Sequence, residues 1–330
     1  MKKAFYYSIL LHFYLIKLKE NLKIIYLLPI LIISISIFDN IYLISLLNSL
    51  SFQIIIGLIS ISIIFIIFKR YKYGIISLIS ALYFLGSISV FDNNNYSIQT
   101  NKENISISHF NVLRTNKDYN TIINSALNSN SDILSFQEIS SDWRQILISK
   151  LSKKYPYHII DDKDNNYFGI ALFSKHKITN SQIVYIQNTP NIFANIEKNN
   201  TKIDIITVHT NSPISKARFK SRNKHIKYLS EILKNNRVSL LVIGDFNAVP
   251  WDSRIINFKT QTNLIDSRKT YSSTWPRQLG KLGIPLDYIF HSKNISCIDF
   301  QVIEETSSDH CGITGIYSIG LHTNSAIAYN

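Results

Sequence analysis

The chain places acids, amides and histidines where its apolar runs end. Leu241–Asp252 reads LVIGDFNAVPWD: an apolar run, a glycine, Asp245 and Asn247 two positions apart, then a proline that stops a strand. Asn111 closes ISISHFN, Glu138 closes DILSFQE, and His209 ends IDIITVH. Asp287 sits inside PLDYIF, and Asp309 and His310 precede the last apolar run in SSDHCGI. Carboxylates and amides are the hard oxygen donors that Mg²⁺ takes. Histidines beside them supply phosphate contact or proton transfer. A single polar residue at a strand end means little, because connections are polar anyway. Several such ends within one region imply a shared edge where these groups converge.

The elements that must position them alternate strands with helices. Ile105–Asn111, Asp132–Glu138, Phe168–Ser174, Ile192–Glu197, Lys202–His209, Ser239–Asp245, Leu286–His291, Ile295–Ile303 and Cys311–Tyr317 read as strands. Asp118–Ser129, Ser141–Lys150 and Ser215–Lys234 read as helices, Ser141–Lys150 with a serine N-cap. Many strands and few helices predict an α/β fold, a four-layer α/β sandwich of two packed β-sheets flanked by helices. On an extended strand, Asp245 and Asn247 would point to one face. There is no internal repeat and no glycine-rich phosphate loop.

Taken in order, N, QE, H, GDFN, LDYIF and SDH resemble the endonuclease/exonuclease/phosphatase superfamily, over roughly Ile105 to Tyr317. That superfamily includes pancreatic deoxyribonuclease, apurinic endonucleases, neutral sphingomyelinases and inositol-polyphosphate phosphatases. The resemblance implies that Glu138 ligates Mg²⁺ (or Mn²⁺), with Asn111 and Asp309 helping to hold the metal. It implies catalytic roles for His209, Asp245, Asn247, Asp287, Asp309 and His310. His209 would donate to a phosphoryl oxygen, Asp287 would pair with His310, and either Asp245 or His310 would take the proton from water. Arg218 and Arg222, four apart on the Ser215–Lys234 helix with Lys220 and Lys224 nearby, offer a face for further phosphate. Phe168, Tyr271 and Trp275 are candidates for stacking on a base or sugar, or for packing.

Composition splits the chain. Its 330 residues carry a net charge of +13, and a basic balance favours anionic partners such as nucleic acid or phospholipid headgroups. Before about Ser97, Ile, Leu, Phe, Tyr and Ser dominate, and Ile24–Phe38, Ile41–Phe68 and Gly74–Phe91 contain no charge. A bilayer core needs about 20 apolar residues as helix. Residues 1–97 are therefore expected to form a membrane anchor of three transmembrane helices, with Ala4–Ile16 as an interfacial helix. Lys and Arg gather before Ile24 and at Lys69–Lys72, which places those stretches in the cytoplasm. A linker (98–103), a catalytic domain (104–320) on the periplasmic or extracellular side and a short tail (321–330) complete the expected organisation. Two cysteines, Cys297 and Cys311, make neither a disulfide framework nor a zinc site; whether they pair is open. The expected activity is metal-dependent hydrolysis of a phosphodiester. A phospholipid, sphingomyelin or inositol-phosphate substrate is the first alternative, and a catalytically inactive surface scaffold the second.

Overall fold

A computed structural model describes residues 33, 37–89, 103–162, 168–234 and 238–320. The chain divides into two compact units, Met1–Ser89 and Val90–Asn330. Ala4–Ile16, most of Ile24–Phe38, nearly all of the linker and the tail lie outside the described residues.

Three helices of the first unit are described: α1 (Tyr42–Ser49), α2 (Ser51–Ile67) and α3 (Tyr71–Ile88). Ile41–Phe68, expected as one span, is two helices bent by 66°. The break falls at Leu50, beside Ser51 Oγ, which donates to the Asn48 carbonyl at 2.6 Å. Such a side-chain bond competes with the helix ladder. Among the described residues, α3 alone is a helix long and apolar enough to cross a membrane, and the bent pair passes the same test only when joined. Ser62 Oγ donates to the Gly74 carbonyl at 2.8 Å, tying α2 to α3. Ile63, Ile67, Ile75, Ile79 and Leu82 remain exposed.

The second unit runs β1 (Glu103–Asn111), α4 (Tyr119–Asn128), β2 (Ile133–Gln137), α5 (Ser141–Leu151), β3 (Tyr157–Asp161), β4 (Ile170–Ser174), β5 (Lys177–Ile186), β6 (Thr189–Lys198), β7 (Thr201–Thr207), α6 (Lys216–Leu233), β8 (Leu240–Asp245), α7 (Ser253–Thr262), β9 (Ile265–Asp266), β10 (Asp287–His291), β11 (Ile295–Ile303) and β12 (Gly312–Ile319). The helices begin at sequence-coded caps. Asp118, Ser140, Ser215 and Asp252 each accept a backbone N–H from the first turn.

The strands form two six-stranded mixed sheets, ordered β11-β12-β1-β2-β4-β3 and β5-β6-β7-β8-β10-β9. Each sheet holds one parallel pair, β1 with β2 and β7 with β8, bridged by α4 and α6. A parallel pair needs such a crossover. Alternate residues of both sheets, among them Ile105, Ile107, Ile133, Ile205, Leu241, Ile243 and Ile289, fill the layer between them. Phe110, Leu134 and Phe136 face outward onto α4 and α5 with Ile122, Trp143 and Leu147. Val242 and Phe290 pack outward on α6 and α7 with Leu229, Ile255 and Phe258. The order of layers is helices, sheet, sheet, helices, as the strand and helix pattern implies.

Candidate active site

The apolar layer between the sheets turns polar at one end, without losing its period of two. On β1, Ile105 and Ile107 are followed by His109 and Asn111; on β2, Ile133 by Ser135 and Gln137. Leu241 and Ile243 on β8 lead to Asp245, and Ile289 on β10 leads back to Asp287. Asp287 lies directly opposite Asp245 in the β8–β10 register. Two carboxylates facing each other across a strand pair repel unless something neutralises them.

Gly244 permits this convergence. Its φ is +139°, and a Cβ there would lie 2.0 Å from the Val208 carbonyl oxygen. That carbonyl accepts the Gln137 side-chain N–H at 2.6 Å, while Gln137 Oε1 accepts the Asp245 N–H at 3.0 Å. One amide thus ties the two sheets together at the base of the site. Glu138, just past β2, adopts a positive φ of 60°, a conformation uncommon for a non-glycine residue.

The ionisable groups form a connected set. Asn111 Nδ2 donates to Glu138 Oε1 at 2.9 Å and lies 3.5 Å from Asp245 Oδ2. Asp287 Oδ2 bonds His310 Nδ1 at 2.9 Å, which leaves His310 Nε2 3.8 Å from Asp245 Oδ2. Asp287 Oδ1 faces His109 Nε2 at 3.3 Å, and His209 Nε2 stands 3.9 Å from Glu138 Oε1. Asp309 lies in the loop before β12, where its Oδ2 accepts the Trp275 indole N–H at 3.0 Å.

Burial and mutual repulsion set the charges. Burial holds the Glu138 carboxyl above its ordinary range, against the Asn111 hydrogen bond, with Asp309 adding to the rise. Burial and the neighbouring Asp287 push Asp245 well above the usual carboxylate range. Burial also opposes ionisation of Asp287, but His310 and His109 outweigh it and hold that carboxyl well below its ordinary range. For His310, the Asp287 and Asp245 carboxylates overcome burial and raise its pKa to about 10. Burial, with the charge of His310 nearby, lowers His209 to about 3. Asp245, Asp287 and His310 offer ligand atoms all within 4.8 Å of one another, a buried group able to hold a metal ion.

Asn111, Glu138, His209, Asp245, Asn247, Asp287, Asp309 and His310 all lie at this end of the unit. Two expectations change. Asn247 is not on an extended strand with Asp245: β8 ends at Asp245 and Asn247 turns left-handed, with φ 48°. Its side chain donates to the Thr210 carbonyl at 3.0 Å. Asn111 accepts the Leu113 N–H at 3.1 Å with its carboxamide oxygen and orients Glu138 through its NH₂. Arg222 does not share a solvent face with Arg218. It is 1% exposed and bonds the Asn247 carbonyl at 2.7 Å and Asp252 at 3.3 Å. Arg218 stays at the surface with its guanidinium over Phe168 at 5.8 Å, and Phe168 meets the His209 ring edge-on at 5.2 Å. Tyr271 packs on Trp251, whereas Trp275 stands beside His310, with ring centroids 6.4 Å apart. Cys297 and Cys311 are both free thiols.

His109 and Gln137 were not singled out from the sequence. Each lies two residues before, or one before, a motif residue on the same strand end, and period-two alternation from Asn111 back to His109 is the signal that finds the histidine.

Solved structures share this fold at low sequence identity. An endonuclease/exonuclease/phosphatase family protein from Bacteroides thetaiotaomicron superposes with a TM-score of 0.57 at 16% identity, covering 67% of this chain and 100% of that one. D. rerio TDP2 complexed with single strand DNA product gives 0.55 at 17% identity, over 65% and 98%. The mannosyl-6-phosphatase Bt3783 of Bacteroides thetaiotaomicron gives 0.56 at 16%, over 64% and 99%. No curated protein sequence matches the chain. The sequence model of the Endonuclease/Exonuclease/phosphatase family matches residues 108–310, from the middle of β1 to the histidine of SDH, and the chain belongs to that family.

Proposed function

We propose that this protein is a membrane-anchored phosphoesterase that uses a divalent metal, Mg²⁺ or Mn²⁺, to hydrolyse a phosphodiester of the nucleic-acid kind by attack of water. The observation that carries this reading is the meeting of Glu138, Asp245, Asp287, Asp309, His209 and His310 at one polar end of the inter-sheet layer. The ion pairs of Glu138, Asp245 and Asp287 run to histidines, and burial holds Glu138 and Asp245 above their ordinary range. A hard cation fits such an excess of carboxylate oxygen. Glu138 and Asp309 would hold it, with Asn111 fixing the Glu138 carboxylate. Bound there, the ion would polarise a phosphoryl oxygen and offset its charge.

The side chains divide the remaining work. Asp287 bonds His310 Nδ1 and leaves Nε2 facing Asp245, so His310 enters as the charged donor to the phosphoryl or leaving oxygen. Asp245, whose carboxyl is raised toward neutrality, accepts the proton of the attacking water; a base raised in this way is better matched to that task. His209 is held neutral by burial and faces the phosphoryl oxygens as a hydrogen-bond donor. Arg218 at the rim adds positive charge for an anionic substrate.

The net charge of +13 and the likeness to a TDP2 complexed with single strand DNA product support the nucleic-acid reading. The exposed Ile and Leu on α2 and α3 support the anchor, because helices that expose so many large apolar side chains are suited to lipid. The anchor also favours a second reading, a phospholipid headgroup ester. Orientation with the catalytic domain outside the inner membrane rests on Lys69–Lys72 and the basic N-terminus.

The full chain in detergent is expected to cleave bis-p-nitrophenyl phosphate with Mg²⁺ or Mn²⁺ and to nick DNA. Release of a phosphorylated headgroup from vesicles without DNA nicking would select the lipid reading. No hydrolysis of any ester with any metal would select the inactive scaffold. An active C-terminal alkaline phosphatase fusion is expected, and an inactive one would reverse the proposed orientation.

A further inference from the structure

The turn that carries Asp245 and Asn247 is held by its backbone. Three successive carbonyls each accept one side-chain donor from a different element. Thr210 Oγ1, after β7, donates to the Phe246 carbonyl at 2.6 Å. Arg222 Nη1, on α6, donates to the Asn247 carbonyl at 2.7 Å. Tyr288 Oη, on β10, donates to the Ala248 carbonyl at 2.6 Å. All three donors are fully buried or nearly so.

Arg222 is the charged member of the three. Its Nη2 reaches Asp252 Oδ2 at 3.3 Å, and Asp252, 4% exposed, also caps α7 by accepting the Arg254 N–H at 2.8 Å. The guanidinium therefore bridges the turn's backbone and the next helix's first turn. From the Asn247 carbonyl the connection continues through that residue's own N–H, which donates to Asp245 Oδ1 at 2.8 Å. Asp245 Oδ2 is then the oxygen left facing His310 and Asn111.

We propose that Arg222 is a positioning residue for the hydrolytic reaction: it fixes the left-handed turn at Asn247 and, through it, the orientation of the Asp245 carboxylate. The proposal rests on the phosphoesterase reading for its kinetic consequence only. Lysine keeps the charge beside Asp252 but lacks the rigid fork that spans two acceptors. Displacement of a reacting group by about 1 Å costs on the order of 100-fold in rate.

The test uses the full chain, with Arg222→Lys, Tyr288→Phe, Thr210→Val and the solvent-face control Lys227→Ala. Arg222→Lys is expected to lower kcat for bis-p-nitrophenyl phosphate by about 10–100-fold with KM within about twofold, while Lys227→Ala leaves both unchanged. Hydrogen exchange supplies a readout independent of activity. The Asn247 amide is expected to lose protection in Arg222→Lys while Val242 and Ile243 on β8 keep theirs. Unchanged kcat with unchanged protection at Asn247 would overturn the proposal. Protection lost evenly along β8 would also overturn it, by assigning Arg222 to general stability. If Arg222→Lys does not fold, the two hydroxyl deletions decide by the same criteria at Asn247. If the wild-type chain hydrolyses nothing, the exchange result still stands or falls alone, so the two failures are distinguishable.

Discussion

Strand β2 carries a carboxylate beyond each end, and the two are treated in opposite ways. Asp132 precedes the strand and Glu138 follows it, about 20 Å apart along the chain. Asp132 accepts from the Ser106 N–H at 3.0 Å, Lys198 at 3.0 Å and His176 at 3.1 Å. Burial works against its ionisation, but these donors prevail and hold it below the ordinary carboxylate range. Glu138 is given the Asn111 amide and a distant histidine, and burial wins. The same five residues thus join an end built for stability to an end where charge is left under-compensated. Active sites commonly keep such frustrated groups. Net neutralisation at the Glu138 end is expected to come from a cation and a phosphate ester.

The most severe break of this comparison is Glu138→Gln. It is expected to reduce kcat/KM for a phosphodiester by 10³-fold or more, roughly 4 kcal/mol of transition-state stabilisation, while thermal unfolding shows no loss of stability. Asp287→Asn comes next. It removes the carboxylate at His310 Nδ1, and kcat is expected to fall by about 10²–10³-fold, with some stability lost because His109 loses its acid partner and His310 keeps only Asp245 at 3.8 Å.

Asp132→Asn sharpens the other half. It is expected to cost about 1 kcal/mol in denaturant unfolding at neutral pH, discounted for partial exposure, with kcat unchanged. The sign follows from linkage: the folded carboxyl has the lower pKa, so its contribution is present above the unfolded value, about 3.9, and disappears as pH falls through the folded one. Wild type should therefore lose its stability advantage over Asp132→Asn in acid titration below about pH 4. The smallest effect is expected for Arg218→Ala: a rise in KM of a few-fold for DNA that weakens with added salt, and none for bis-p-nitrophenyl phosphate.

Much of the site was legible because its residues close strands. GDFN, QE and SDH are readable since apolar runs must stop somewhere, and a carboxylate at each stop is visible without knowing the partner strand. The serine cap of α5 was equally plain. Partners across the fold were not: nothing local reveals that Gln137 joins the sheets or that Trp275 binds Asp309. Arg222 was misread because charge implied solvent. Its spacing said otherwise, since it falls between Phe219 and Ile226 on the buried stripe that continues to Leu229 and Leu233. β5 escaped notice because it is an edge strand exposed along most of its length, with little alternation to show. The bend at Leu50 is hidden within an uninterrupted apolar run.

Binding of Mn²⁺ to the full chain, followed by its paramagnetic resonance signal, tests the central claim most directly. Wild type should bind the ion and hydrolyse bis-p-nitrophenyl phosphate in proportion to occupancy, Asp132→Asn should do both, and Glu138→Gln should do neither. Equal binding and equal hydrolysis by Glu138→Gln and wild type would contradict the account.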